Sequence, residues 1–90
     1  MQHKRTVLKQ IVRYLKEKGA TKDNKIVYDI YLYRGEHCYG KMESVWLDKN
    51  DIPVCHVWWW GVGGDIPLTD VSTRNLITLR DYLRDGHVIQ

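Results

Sequence analysis

Apolar residues at Val7, Leu8, Ile11, Val12 and Leu15, with Lys9, Gln10, Arg13, Lys16 and Glu17 between them, recur at helical spacing. One side of such a helix is apolar and the other charged, which predicts an amphipathic helix from about Thr6 to Lys18, closed by Gly19. After the polar connector 21–25 the period changes. Ile26, Tyr28, Ile30 and Leu32 alternate with Val27, Asp29, Tyr31 and Tyr33, the two-residue period of a strand. Arg34-Gly35-Glu36 reads as a turn, His37 to Leu47 as a second strand and Asp48-Lys49-Asn50-Asp51 as a tight turn. A third strand starts near Ile52 and carries Val54-Cys55-His56-Val57-Trp58-Trp59-Trp60, dense in β-branched and aromatic residues. Gly61-Val62-Gly63-Gly64-Asp65 breaks the pattern, and Pro67 is expected to end sheet pairing. Leu76, Ile77, Leu79, Tyr82 and Leu83 return to helical spacing, with Asp70 or Ser72 as cap and Gly86 as stop.

The expectation is a single α+β domain over residues 1–90: helix, three-stranded antiparallel meander, helix, with both apolar helix stripes on one face of the sheet. Turn lengths set the register. A two-residue Lys49-Asn50 loop places Ser44 opposite Cys55, Met42 opposite Val57 and Gly40 opposite Trp59. This row is small or apolar, so it is expected to meet the helices together with Tyr28, Ile30 and Leu32. Trp59 can then lie across the bare glycine. A slip of one residue would drive Lys41 and Glu43 into the core. The other face carries Val45 opposite Val54, Glu43 opposite His56, Lys41 opposite Trp58 and Tyr39 opposite Trp60. A three-residue Arg34-Gly35-Glu36 loop pairs Tyr31 with Tyr39 and Asp29 with Lys41. A Gly35-Glu36-His37 loop would put Asp29, Glu43 and His56 in one row. The first is preferred because it avoids opposed carboxylates.

Composition adds limits. Ninety residues, 43% hydrophobic and 28% charged, describe a small globular domain with one modest core. No apolar run approaches the roughly 20 residues of a membrane span, and Met1-Gln2-His3-Lys4-Arg5 is not followed by a signal-peptide core. With two cysteines and no leader, a cytoplasmic protein with free thiols is expected. The net charge of +3 is unevenly placed. Residues 1–25 hold eight Lys/Arg against Glu17 and Asp23. Lys4, Arg5, Lys9, Arg13 and Lys16 on the first helix are therefore candidate polyanion contacts.

Candidate chemistry is sparse. His37-Cys38 and Cys55-His56 supply zinc-type ligands, but the hairpin register holds the two pairs roughly 20 Å apart. No metal and no cofactor are expected, and the same separation rules out an internal disulfide. Glu43 beside His56 could orient an imidazole for general-base work, yet Ser44 is expected on the opposite face and no other nucleophile is near. Gly61-Val62-Gly63-Gly64 lacks the spacing of a phosphate loop.

The aromatic face is the stronger signal. Tyr31, Tyr33, Tyr39, Trp58 and Trp60, with Lys41 and His56, are the expected partner-binding residues. The predicted element order resembles that of the double-stranded RNA-binding domain. Where that family opens its second helix with a lysine cluster, Asp70-Val71-Ser72-Thr73-Arg74-Asn75 carries Arg74 alone. The expected function is a non-catalytic protein-interaction module forming homo-oligomers through its aromatic sheet face. The alternative is nucleic-acid binding by the basic first helix, and a third reading is a small enzyme built on Glu43 and His56.

Overall fold

The structure, a computed structural model, describes residues 3–59 and 61–86. Helix α1 spans Lys4–Glu17 and buries Val7, Ile11 and Leu15, positions four apart that its sequence makes apolar. The chain leaves it through Gly19 at φ +64°, a left-handed conformation that glycine takes without a Cβ penalty. Helix α2 spans Thr73–Asp85, buries Leu76, Leu79 and Leu83, and ends at Gly86 with φ +69°. Ser72 is its N-cap, but the hydroxyl makes no capping bond to the backbone. It accepts from Asn75 Nδ2 at 2.9 Å instead.

Four strands follow α1, not three: β1 (Ile26–Arg34), β2 (His37–Leu47), β3 (Pro53–Trp59) and β4 (Val62–Pro67). They form one antiparallel sheet in the order β1-β2-β3-β4. The expected three-stranded meander is therefore corrected to αββββα, which also departs from the element order of the double-stranded RNA-binding domain. Glycine hides β4 from sequence reading, because a residue without a side chain shows no alternation. Backbone pairing needs no side chain, and Gly63 and Gly64 lie opposite Trp58 and Val57. Pro67 stands opposite Val54 at the end of this edge strand, where a missing N–H is tolerated.

The registers deviate locally. Asp51 takes φ +61° and Asp48 N–H donates to the Ile52 carbonyl, so the β2–β3 loop has three residues, Lys49-Asn50-Asp51. The Asp48 carboxylate holds it by accepting from Asn50 and Ile52 N–H at 2.8 and 2.9 Å. An irregularity at Glu43 then absorbs the extra residue. On the Trp side of it Met42 faces Val57 and Lys41 faces Trp58, as expected. On the loop side the pairs are Ser44 with His56 and Val45 with Cys55. Val45 is thus in the core, and Ser44 is on the open face, the reverse of the expectation. A bulge turns two consecutive residues to one side, and no periodicity marks where it falls.

The first hairpin is also corrected. Its turn has two residues, since Arg34 pairs with His37, and Tyr31 lies opposite Lys41, not Tyr39. Further irregularities place Asp29 near Glu43 and leave Tyr39 as an extra residue between Gly40 and Cys38.

One buried cluster joins both helices to the inward residues Tyr28, Ile30, Leu32, Met42, Val45, Leu47, Cys55 and Val57. Both helices therefore cover the same side of the sheet. Burial pushes the Tyr28 hydroxyl above its ordinary pKa, and its ring meets Tyr82 edge-on at 5.6 Å. Trp59 packs half-buried at the edge of this cluster. A Cβ on Gly40 would come within 2.7 Å of the Trp59 ring and of the Trp58 carbonyl, so the indole does lie across the bare glycine. No helix among the described residues is long and apolar enough to cross a membrane.

Candidate functional site: the open face of the sheet

The side of the sheet away from the helices is formed by alternate residues of four strands. Tyr31, Lys41, Trp58 and Gly63 make one row and Val27, Ser44, His56 and Asp65 the next, with Asp29 and Glu43 unpaired at the irregularities between them. Val27, Tyr31 and Trp58 are 61%, 56% and 42% exposed, high values for residues with so much apolar surface. Tyr31, Lys41 and Trp58 join Cys38, Tyr39 and Gly40 around a cleft of about 240 Å³. The free thiol of Cys38 reaches the Gly40 carbonyl at 3.6 Å.

Asp29, Lys41, Glu43, His56 and Asp65 form a charge ladder across both rows. Lys41 Nζ stands 3.2 Å from Asp29 and 3.8 Å from Glu43. The hydrogen bond and charge of Asp29, and then the charge of Glu43, raise the lysine pKa. His56 Nδ1 lies 2.7 Å from Asp65 Oδ1, and Nε2 lies 4.0 Å from Glu43 Oε2. A carboxylate can only accept, so Nδ1 carries the proton shared with Asp65. Gly63 makes room for the ring, since a Cβ there would meet Nε2 at 3.0 Å. Strand pairing does not build the row of Asp29, Glu43 and His56: Ser44 stands opposite His56, and Asp29 and Glu43 are unpaired residues at the irregularities, linked through their side chains to Lys41 and His56. Lys41 relieves the repulsion between the Asp29 and Glu43 carboxylates by reaching both.

Ser44 lies opposite His56 on this face, yet among the described residues its hydroxyl makes no hydrogen bond. The imidazole lies between two carboxylates, Asp65 at Nδ1 and Glu43 at Nε2, and among the described residues no hydrogen bond joins it to a nucleophile. Among the described residues no group of three or more His, Cys, Asp or Glu could hold a metal ion. Cys55 is fully buried on the other face. Burial first, and then the charges of Asp65 and Asp70, push its thiol up to about 12.

The other expected partner-binding residues scatter. Trp60 lies outside the described residues. Tyr33 and Tyr39 sit at the β1–β2 turn end, where Arg74 stacks over Tyr33 at 5.2 Å and Arg34 over Tyr39 at 5.4 Å. Both tyrosines border a second cavity with Lys4, Ser72 and Asp70, and Arg74 donates to the Gly35 carbonyl. Tyr39 also packs against the core cluster. The open face retains Tyr31, Lys41, His56 and Trp58 from the expected set, and Tyr39 borders its cleft from the turn end.

The five basic residues of α1 stand on the far side of the sheet. Lys4 Nζ donates to the Thr69 carbonyl at 2.6 Å, Lys16 pairs with Asp51 at 3.5 Å and Arg13 stacks over Tyr14 at 5.0 Å. Arg5 and Lys9 are exposed.

Two polar residues were missed. Asn75 and Arg80 are 2% and 7% exposed on α2. Arg80 donates to Gln10 Oε1 of α1 at 3.0 Å and to Asp81, and Asn75 holds the backbone of β1. The available signal was their position: each falls within the apolar stripe of Leu76, Leu79 and Leu83. Compared with known proteins, the chain matches no family model, no curated protein and no solved structure.

Proposed function

We propose that this domain is a non-catalytic protein-interaction module that self-associates through the open face of its sheet. The exposure of Val27, Tyr31 and Trp58, on a face that neither described helix covers, carries the reading. Large amphipathic aromatics of this kind supply most of the energy in protein interfaces. The ladder beside them alternates in sign. A two-fold pair can set each copy's Lys41 toward the other copy's carboxylates, which would fix the register of a reciprocal interface. Because charged residues interrupt the apolar surface, the pair belongs at the small and transient end of interface sizes.

The same charges argue against nucleic acid on this face, where Asp29, Glu43 and Asp65 outnumber Lys41. That second reading rests on α1 and predicts binding that weakens steeply with salt. Against the enzyme reading, Ser44 lies opposite His56 but among the described residues no hydrogen bond joins the two side chains. Sedimentation across a wide concentration range is the test. The expected result is a reversible monomer–dimer equilibrium that Trp58→Ala weakens without lowering the thermal midpoint. A protein that stays monomeric at its highest soluble concentration overturns the reading.

A further inference from the structure

On the helix side of the molecule, a groove of about 650 Å³ runs between α1 and the β2–β3 hairpin tip. Its floor is aliphatic: Leu8 and Val12 of α1, then Ile52 and Pro53. Ile52 leaves 46% of its surface exposed at the hairpin end. Arg5 and Lys9 form the rim. Among the described residues neither side chain has a hydrogen bond or ion pair, so their charge is free for a ligand. Lys4 closes one end through its bond to Thr69.

We propose that this groove docks an acidic amphipathic helix of a partner protein. The volume lies in the range of preformed ligand sites. A groove with an apolar floor and a charged rim matches the mode in which one helix lays its apolar face down and keeps its charges at the edge. Charge complementarity selects the acidic kind, because every ionisable residue bordering the groove is basic. The shape disfavours a membrane surface, which is too flat to fill a concavity. The floor disfavours bases, which stack on aromatic rings, and this groove has none. The proposal is independent of self-association, since the sheet separates the two surfaces.

The test uses a fluorescent helical peptide with leucines at i, i+3, i+4 and i+7 and glutamates elsewhere. A scrambled peptide of the same composition, a DNA duplex and phosphatidylglycerol vesicles are the comparisons. The helical peptide is expected to bind at least about tenfold tighter than the scramble. Ile52→Asp is expected to remove that preference, and Arg5→Glu with Lys9→Glu to weaken binding by a similar factor, about tenfold. All three positions border solvent, and an unchanged thermal midpoint shows that each variant folds. Trp58→Ala is expected to bind the peptide as the wild type does. Equal binding of peptide and scramble overturns the proposal, as does binding that survives Ile52→Asp. An Ile52-dependent affinity for vesicles or duplex in place of the peptide overturns it in favour of those partners.

Discussion

The side-chain amide of Asn75 is bonded to both backbone groups of Tyr33. Tyr33 N–H donates to Asn75 Oδ1 at 3.2 Å, and Asn75 Nδ2 donates to the Tyr33 carbonyl at 3.1 Å. The carboxamide thus imitates one residue of a neighbouring strand at the outer edge of β1. Edge strands invite pairing with other chains, and covering the edge with a helix blunts that tendency. Here the helix also ties itself to the sheet by the same side chain. Asn75→Ala leaves two partly buried backbone groups unpaired and is expected to cost about 1–3 kcal/mol. Urea denaturation measures it. A loss below about 0.5 kcal/mol would mean that water replaces the amide at no cost.

Gly40 and Trp59 make a second close pair. A Cβ at residue 40 would stand 2.7 Å from the Trp58 carbonyl and 2.7 Å from the Trp59 ring. The ring can turn aside, but the carbonyl belongs to the neighbouring strand and cannot. Gly40→Ala is expected to destabilise by about 1–3 kcal/mol, as overpacked sites do. The same substitution at Gly64, where the Trp59 ring is the nearest group at 3.9 Å, is expected to have a much smaller effect. Thermal unfolding of the two variants side by side checks the contrast.

The two thiols are expected to behave differently. A thiol reagent is expected to label half-buried Cys38 in the native protein and to reach Cys55 only on unfolding. Cys55 has a folded pKa of about 12 against an ordinary value of 9.0. Its raised value means the folded state keeps the proton longer. The contribution to stability is intact below pH 9.0 and is lost as pH rises toward about 12. The stability difference between wild type and Cys55→Ala is expected to shrink across that window. A constant difference would contradict the assignment.

Lys41 bridges Asp29 and Glu43 on the open face. Lys41→Met leaves those two carboxylates facing each other without a counter-charge. Both are well exposed, so the loss of stability is expected to be small and to shrink as salt screens the repulsion. Urea midpoints at low and high ionic strength test this. A loss independent of salt would point to packing of the lysine stem against Trp58 and Tyr31.

Much of this architecture was legible in the chain because periodicity reports burial directly. The stripe of Val7, Ile11 and Leu15 and the alternation of Tyr28, Ile30 and Leu32 can each be buried in one way only. β2 was expected over the residues it occupies, His37–Leu47. The choice that kept Lys41 out of the core also put Met42 opposite Val57 and Gly40 under Trp59. Those readings rest on side chains whose transfer from water dominates any local preference.

What only the tertiary structure decided is of another kind. β4 forms because the edge of β3 offers a ladder to Gly63 and Gly64, which carry no pattern of their own. The offset at Glu43 turns on a single αL residue, Asp51, that lengthens the loop by one and exchanges the faces of Ser44 and Val45. Asn75 and Arg80 are buried because their partners, the Tyr33 backbone and Gln10, arrive from elements far away in the sequence. Apolar burial is a property of each residue and its period, so the chain displays it. Hydrogen-bond partners and strand offsets are properties of pairs, and they exist only once the chain has brought the two members together.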